Sequence, residues 1–295
     1  MYRKWRDGPM YNKPTRIDGK VVLITGCNTG IGKETALELA KRGGHIYMAC
    51  RNYEKCEEAR KEIIELSGNR NVFNRTLDLS SLQSVRDFVE KFNEEVQRLD
   101  ILINNAGIMS TPLGYTIDGY EQQLAVNHLG PFLLTNLLLD KLKASAPSRI
   151  VVVSSLTHRV GKIKQHDLNS KKSYGKFEAY AQSKLANVLF TRHLAKRLRG
   201  TGVTINCLHP GSIHTEIGRN DPLMDKMIST VGKFVLRSVK GGAQTTIFAA
   251  IDPAIESDSG EYYHNMKRGK LAKLAKDEKL AEWLWKESEL MVGLK

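Results

Sequence analysis

The sequence predicts a doubly wound α/β fold, a single Rossmann domain with a parallel sheet, and three observations carry that prediction. From Lys20 onward, apolar β-branched runs alternate with stretches of helical length. The runs are continuously apolar rather than alternating, which marks strands buried on both faces and joined by right-handed helical crossovers. A glycine-rich turn separates the first run from the stretch that follows it, where a nucleotide-binding fold places its phosphate turn.

Val21 to Ile24 reads as the first strand, Gly32 to Arg42 as a helix and His45 to Cys50 as the second strand. Later strands are expected at Val72-Phe73, Ile101 to Ile103, Ile150 to Val153 and Val203 to Leu208. A helix is expected from Tyr120 to Leu129, and another opens at Tyr180, where Leu185, Val188, Leu189 and Leu198 follow helical spacing. Residues 216–240 have weaker periodicity and read as a lid or substrate loop. Their Leu223, Met224, Met227, Ile228, Val231, Phe234, Val235 and Leu236 suit a long lipid, or an amphipathic helix packed on its own core. Residues 1–18 read as a basic appendage and 19–295 as one domain, so the periodicity uses a length that could otherwise hold two.

Composition excludes several classes. With 41% hydrophobic and 26% charged residues the chain can build a sizeable core, unlike a disordered, collagenous or disulfide-stapled sequence. Cys27, Cys50, Cys56 and Cys207 form neither a CxxC pair nor a zinc-site spacing, so a reducing compartment is expected and no metal. The apolar stretch Leu129 to Leu139 is broken by Pro131 and Asn136, too short a run to span a bilayer, and the start lacks the apolar segment of a signal peptide. The expected location is the cytoplasmic side. A net charge of +13 predicts an anionic ligand or surface. Basic residues are scattered without a recognition module, which argues against nucleic acid. The first 20 residues carry six Lys/Arg against two Asp, with Tyr2 and Trp5 interleaved, which suits a peripheral contact with an anionic membrane or a solvated tail.

In Thr25-Gly-Cys-Asn-Thr-Gly-Ile-Gly32 the glycines permit a tight turn and close approach of a pyrophosphate, while the following helix presents free N–H groups. Such a turn alone can be purely structural. Lacking the Gly-Lys-Ser/Thr of a nucleotide triphosphatase, it favours a dinucleotide. The second strand ends at Arg51, where an NAD site commonly places a carboxylate against the ribose hydroxyl. A guanidinium there can clamp a 2′-phosphate and points to NADP(H), or it is a solvated strand-end arginine. Tyr180 and Lys184, four apart on a helix, are neighbours, and a nearby ammonium favours phenolate and lowers the tyrosine pKa. YxxxK by itself recurs by chance. Ser154 and Ser155 end one expected strand, Asn104 to Gly107 another, and Asn127 follows. Each alone could be a cap or turn, but together they mark one carboxyl edge.

From about Gly19 onward the chain resembles the short-chain dehydrogenase/reductase family, through TGxxxGIG at Thr25 to Gly32, Asp78, NNAG at Asn104 to Gly107, Asn127, Ser155, YxxxK at Tyr180 to Lys184, and Pro210-Gly211 with Thr215. Within it, stretches such as TGCNTGIGKET and SKLANVLFTRHLAKRL resemble the NADP-dependent retinol dehydrogenase group. The resemblance implies interconversion of a lipophilic alcohol with its aldehyde or ketone, retinol and retinal first, other lipid aldehydes or steroid-like ketones second, and a catalytically silent binding protein as the non-enzymatic alternative. It implies that Tyr180 exchanges a proton with the substrate oxygen, Lys184 lowers the Tyr180 pKa and binds the nicotinamide ribose, Ser155 positions the oxygen and Asn127 supports a water-linked relay. The cofactor would lie on Gly26, Asn28, Thr29, Gly30, Ile31 and Gly32, with Arg51 at its 2′-phosphate and Asp78 beside the adenine. Asn104, Ala106 and Gly107 would follow along the ribose, and Pro210, Gly211, Ile213 and Thr215 would surround the carboxamide. A homodimer is compatible with the resemblance. The 24 residues between Ser155 and Tyr180 form an insertion that the retinol dehydrogenase group shares, and its Tyr174 reads as a loop aromatic.

Overall fold

The computed structural model describes residues 7–212 and 237–295. The six expected strands form with small changes at their ends: β1 (Val21–Thr25), β2 (His45–Cys50), β3 (Val72–Thr76), β4 (Ile101–Asn104), β5 (Ser148–Val153) and β6 (Val203–His209). Two further strands, β7 (Tyr262–His264) and β8 (Lys267–Arg268), extend the sheet, whose order is β3-β2-β1-β4-β5-β6-β7-β8. All pairs are parallel except β7 with β8, so the expectation of a parallel sheet holds save for one antiparallel edge.

Successive strand residues divide between two cores, as the two-residue period of a strand requires. Leu23, Leu102, Val152 and Ile205 face one layer, with α3 (Leu82–Glu95), α4 (Gly130–Leu137), α6 (Lys176–Arg197) and α8 (Glu278–Met291). Ile24, Ile103, Val151 and Leu208 face the other, with α1 (Gly30–Lys41), α2 (Tyr53–Ser67) and α7 (Val239–Ile251). The short α5 (Leu139–Ala144) leads into β5. The helix expected from Tyr120 to Leu129 is different in kind: a single turn at Gln122–Leu124 followed by a π-helical segment, Ala125–Leu129, that carries Asn127.

Residues 7–18 are not a free tail. Tyr11 and Ile17 are buried, the Tyr11 N–H donates to Gln244 on α7 (2.9 Å), Lys13 pairs with Asp252 (2.8 Å), and Arg42 donates to the carbonyls of Lys13 and Thr15. Two apolar anchors and these polar ties fasten the segment along α7. Among the described residues no helix is long and apolar enough to cross a membrane.

The amino edge of the sheet is locked by Asp100, 1% exposed, which accepts from the Val21 N–H (2.9 Å), Lys20 (3.0 Å) and Arg98 (2.5 and 2.9 Å). Burial opposes its ionisation, but the bonds from Arg98, the Val21 amide and Lys20 outweigh that and hold the carboxyl below its ordinary value. A depressed folded-state pKa contributes stability that is complete above the unfolded value and is lost as the pH falls. Asp100→Ala should cost about 2 kcal/mol in urea unfolding at neutral pH, the scale of a buried donor left unpaired. The variant should also lose part of the wild-type stability decline below about pH 4; identical acid limbs for the two proteins would contradict this role.

Candidate active site

The strand ends at the carboxyl edge carry the site. The β1–β4 register ends at Ile24–Ile103, and past it Asn105 takes over: its amide donates to the carbonyls of Thr25 and Gly26 (2.9 Å each). The buried Thr25 hydroxyl accepts from the backbone N–H groups of Asn105 (3.0 Å) and Ala106 (3.1 Å). The glycine-rich turn and the NNAG turn are thereby one clasped unit. Gly32 is dictated by that closeness, since a Cβ there would lie 2.4 Å from the Gly26 carbonyl oxygen and 2.5 Å from the Asn105 amide. Sequence reasoning missed Asn105, whose signal was its place within NNAG. Asn104 is committed elsewhere: buried, it donates to Thr135 on α4 (2.8 Å).

Ser154 and Ser155 separate cleanly. The Ser154 hydroxyl donates to the Lys184 carbonyl (2.8 Å) and so ties β5 to α6, whereas Ser155 faces the Tyr180 phenol and accepts from the Thr157 N–H (3.2 Å). Buried His158 donates from Nδ1 to the Ser155 carbonyl (2.6 Å) and steadies the strand end. The Lys184 ammonium stands 5.6 Å from the Tyr180 ring centre and donates to the Val153 carbonyl (3.2 Å). A Cβ at Gly107 would lie 3.3 Å from that ammonium and 3.2 Å from Asn127 Oδ1, so the bare glycine leaves this floor open.

The surroundings of Asn127 and Lys184 bear on the roles expected of them. Both Asn127 side-chain donors are used, on the Ile108 carbonyl and the Ser183 hydroxyl (2.9 Å each), and its Oδ1 accepts from the Ile108 N–H (2.8 Å). Asn127 therefore binds the loop after β4 to α6, and its amide has no hydrogen to give a relay water. For Tyr180 and Lys184 in the protein alone, burial is the larger influence on both groups. Burial raises the phenol to about 12 against the opposing Ser155 bond, and burial also lowers the Lys184 ammonium to about 8. Desolvation outweighs mutual assistance because every residue from Ala179 to Thr191 is buried.

Arg51 lies in a polar cavity of about 540 Å³ with Asn28, Thr29, Lys33, Asn52 and Lys55, closed by Glu58, Ala59 and Glu62. Lys33 of α1 pairs with Glu62 of α2 (2.5 Å), and Asn52 caps α2 by accepting from the Lys55 N–H (2.7 Å). Three cations and a helix N-terminus at one place fit a phosphate group. Lys33 and Lys55 were not foreseen. Asp78 follows β3 and is held by the Ser80 N–H (2.9 Å) and hydroxyl (2.6 Å). A larger cavity, about 610 Å³, opens at the amino edge around Pro147, Leu198 and Ser259, and none of the expected site residues lines it.

Pro210 and Gly211 follow β6, while Ile213, Thr215 and all of the expected loop up to residue 236 lie outside the described residues. Ser212 and Arg237, which flank them, are joined backbone to backbone (2.8 Å). The insertion before Tyr180 is anchored by Tyr174, whose hydroxyl donates to the Thr111 carbonyl (2.7 Å) and accepts from Gln123 (2.9 Å).

The family model described as short chain dehydrogenase matches residues 20–225. The chain is 51% identical to human (Homo sapiens) retinol dehydrogenase 13 over 94% of its length and 86% of that protein's. It is 48% identical to human retinol dehydrogenase 12 over 99% and 92% respectively. A crystal structure of a Mycobacterium paratuberculosis protein, 35% identical, superposes with a TM-score of 0.80 over 97% of this chain and 98% of that one. With hydroxyl, phenol and ammonium converging at the carboxyl edge of a doubly wound sheet, the chain belongs to the short chain dehydrogenase family and is an oxidoreductase.

Proposed function

We propose that the chain uses NADP(H) to interconvert a lipophilic alcohol and its carbonyl compound, with retinol and retinal as the first pair to test. The carrying observation is the buried phenol of Tyr180 with Ser155 and the Lys184 ammonium beside it, at the edge that also bears the cationic pocket around Arg51. The names of the relatives, retinol dehydrogenases at about half identity, support the substrate class.

The clasped glycine-rich turn, Arg51, Lys33 and Lys55 would hold the dinucleotide, which supplies hydride for reduction and accepts it in oxidation. Ser155 and Tyr180 together bind the substrate oxygen. In reduction Tyr180 gives that oxygen its proton, and in oxidation the phenolate takes one. The neighbouring Lys184 ammonium stabilises the phenolate once the site is occupied, and Ser154 and His158 keep Ser155 and Tyr180 in register.

A phenol held protonated by burial is ready for reduction and must ionise for oxidation. Carbonyl reduction should therefore stay flat in kcat/KM from about pH 6 to 8, while alcohol oxidation rises toward tenfold per pH unit. Tyr180→Phe should lower both directions by roughly 10² to 10⁴ while retaining dinucleotide binding. An oxidation rate indifferent to pH, or an active Phe variant, would refute the role of Tyr180.

Arg51→Ala should weaken NADPH binding roughly tenfold to a hundredfold and leave NADH unchanged, the scale of lost charge-assisted bonds to phosphate. Equal losses for both cofactors would reject the 2′-phosphate assignment.

A peripheral membrane encounter accompanies this reading. Leu113, Tyr115 and Ile117, on the segment after β4, and Phe177, in the first turn of α6, are exposed, Ile117 at 90%, and the chain carries +13. Such a surface suits delivery of a bilayer-dissolved substrate. The full chain should cosediment with phosphatidylserine vesicles at low salt, and Ile117→Asp should weaken that binding. Equal recovery with neutral vesicles at high salt, or no change in the variant, would count against it.

A further inference from the structure

Three thiols with no part in the proton chemistry lie beneath the cationic pocket. Cys50 ends β2, Cys56 sits in the first turns of α2, and Cys27 belongs to the glycine-rich turn. The Cys56 sulfur is 2.7 Å from that of Cys50, and the Cys27 sulfur lies 3.8 Å from that of Cys50. All are buried and reduced.

The spacing in sequence gives this cluster its meaning. Cys50 and Cys56 bracket residues 51–55, of which Arg51, Asn52 and Lys55 line the pocket, while Cys27 directly precedes Asn28 and Thr29, which line it as well. A bond between Cys50 and Cys56 would close a small ring on the turn that presents the guanidinium and caps α2. A disulfide holds its sulfurs at about 2.05 Å, so this pair needs a shift of well under an ångström to meet. Cys207, on β6 in the opposite core, has no thiol neighbour among the described residues. Cys50 lies in contact distance of the other two thiols, and hydrogen bonds from Cys27 and Cys56 favour its thiolate, which suits Cys50 to the attacking role.

We propose that Cys50 and Cys56 form a reversible disulfide that alters the nucleotide-phosphate pocket, so that affinity for the dinucleotide follows the thiol redox state. This rests on the cofactor reading above. The oxidant is a hydroperoxide. The Cys50 thiolate attacks one peroxide oxygen, the O–O bond breaks and hydroxide leaves, giving a sulfenic acid. The Cys56 sulfur then attacks Cys50, the S–S bond forms, the S–O bond breaks and water departs with the thiol proton. Two electrons pass from the thiol pair to the peroxide, and a dithiol reverses the change. The pair is reached when the 51–55 turn opens, so an occupied pocket protects it.

The test treats the reduced full chain with hydrogen peroxide, traps remaining thiols with N-ethylmaleimide under denaturing conditions and maps linked peptides by mass spectrometry. The expected product joins Cys50 to Cys56 with Cys207 alkylated, and saturating NADPH slows its formation. The oxidised protein should bind NADPH about tenfold more weakly by fluorescence titration, with recovery in dithiothreitol. Cys56→Ala should show neither linkage nor loss of affinity on oxidation. No linkage in the cofactor-free protein, a linkage through Cys27 instead, or a Cys50–Cys56 bond with unchanged binding would overturn the proposal. If the reduced protein binds NADH as well as NADPH, the cofactor reading fails, while the peptide map and titration with NADH still decide the thiol pair.

Discussion

The clasp between Thr25 and Asn105 is the constraint on which the rest of the site depends. Between β1 and β4 the connections leave the sheet in opposite directions, and a crevice opens at such a switch point because no crossover covers it. Opening the crevice also ends the backbone ladder, and the freed polar groups need partners. Asn105 supplies them by bonding two carbonyls that no strand pairs, and the Thr25 hydroxyl accepts the two amides of the facing turn. The crevice can then remain open without leaving those groups unsatisfied, and the glycine-rich turn keeps its shape before any ligand arrives.

The second constraint is burial. A helix enclosed on every side gives Tyr180 and Lys184 fixed positions but opposes charge on both. The protein alone thus holds a neutral phenol beside a weakened ammonium. Ser154 makes this arrangement reproducible, since its bond to the Lys184 carbonyl fixes the height of α6 against β5 and leaves Ser155 free to face the phenol.

Much of this was legible in the sequence, and the omissions have physical causes. Strands β1, β4, β5 and β6 declare themselves because burial on both faces demands apolar runs, whereas edge strand β3 shows only Val72-Phe73 before turning polar. Strand β7 is three residues long and β8 two, too short for any period to register, and β8 consists of exposed Lys267 and Arg268. The π-helical segment is a product of packing: Val126 to Leu129 would read equally well as an α-helix. Tyr180, Lys184 and Ser155 are visible because a helix spacing and a strand end place them locally. Lys33 and Lys55 belong to different helices that meet only once α1 and α2 pack, and no local pattern encodes that meeting. Residues 7–18 mislead for a related reason, because their polar composition hides two anchors, Tyr11 and Ile17.

The path of that first segment has a mechanical consequence. It begins at the rim of the crevice, where Asp7 accepts from the Ser238 N–H (2.8 Å) and Gly8 sits against the Arg237 guanidinium, whose side chain in turn presses on Gly211. From there it runs along α7 to Asp252 and enters the sheet from the far edge. A pull applied at Asp7 is therefore borne at the mouth of the site, not at its back. A tether at that point would swing the mouth toward whatever holds it and transmit tension, through one arginine, to the turn after β6.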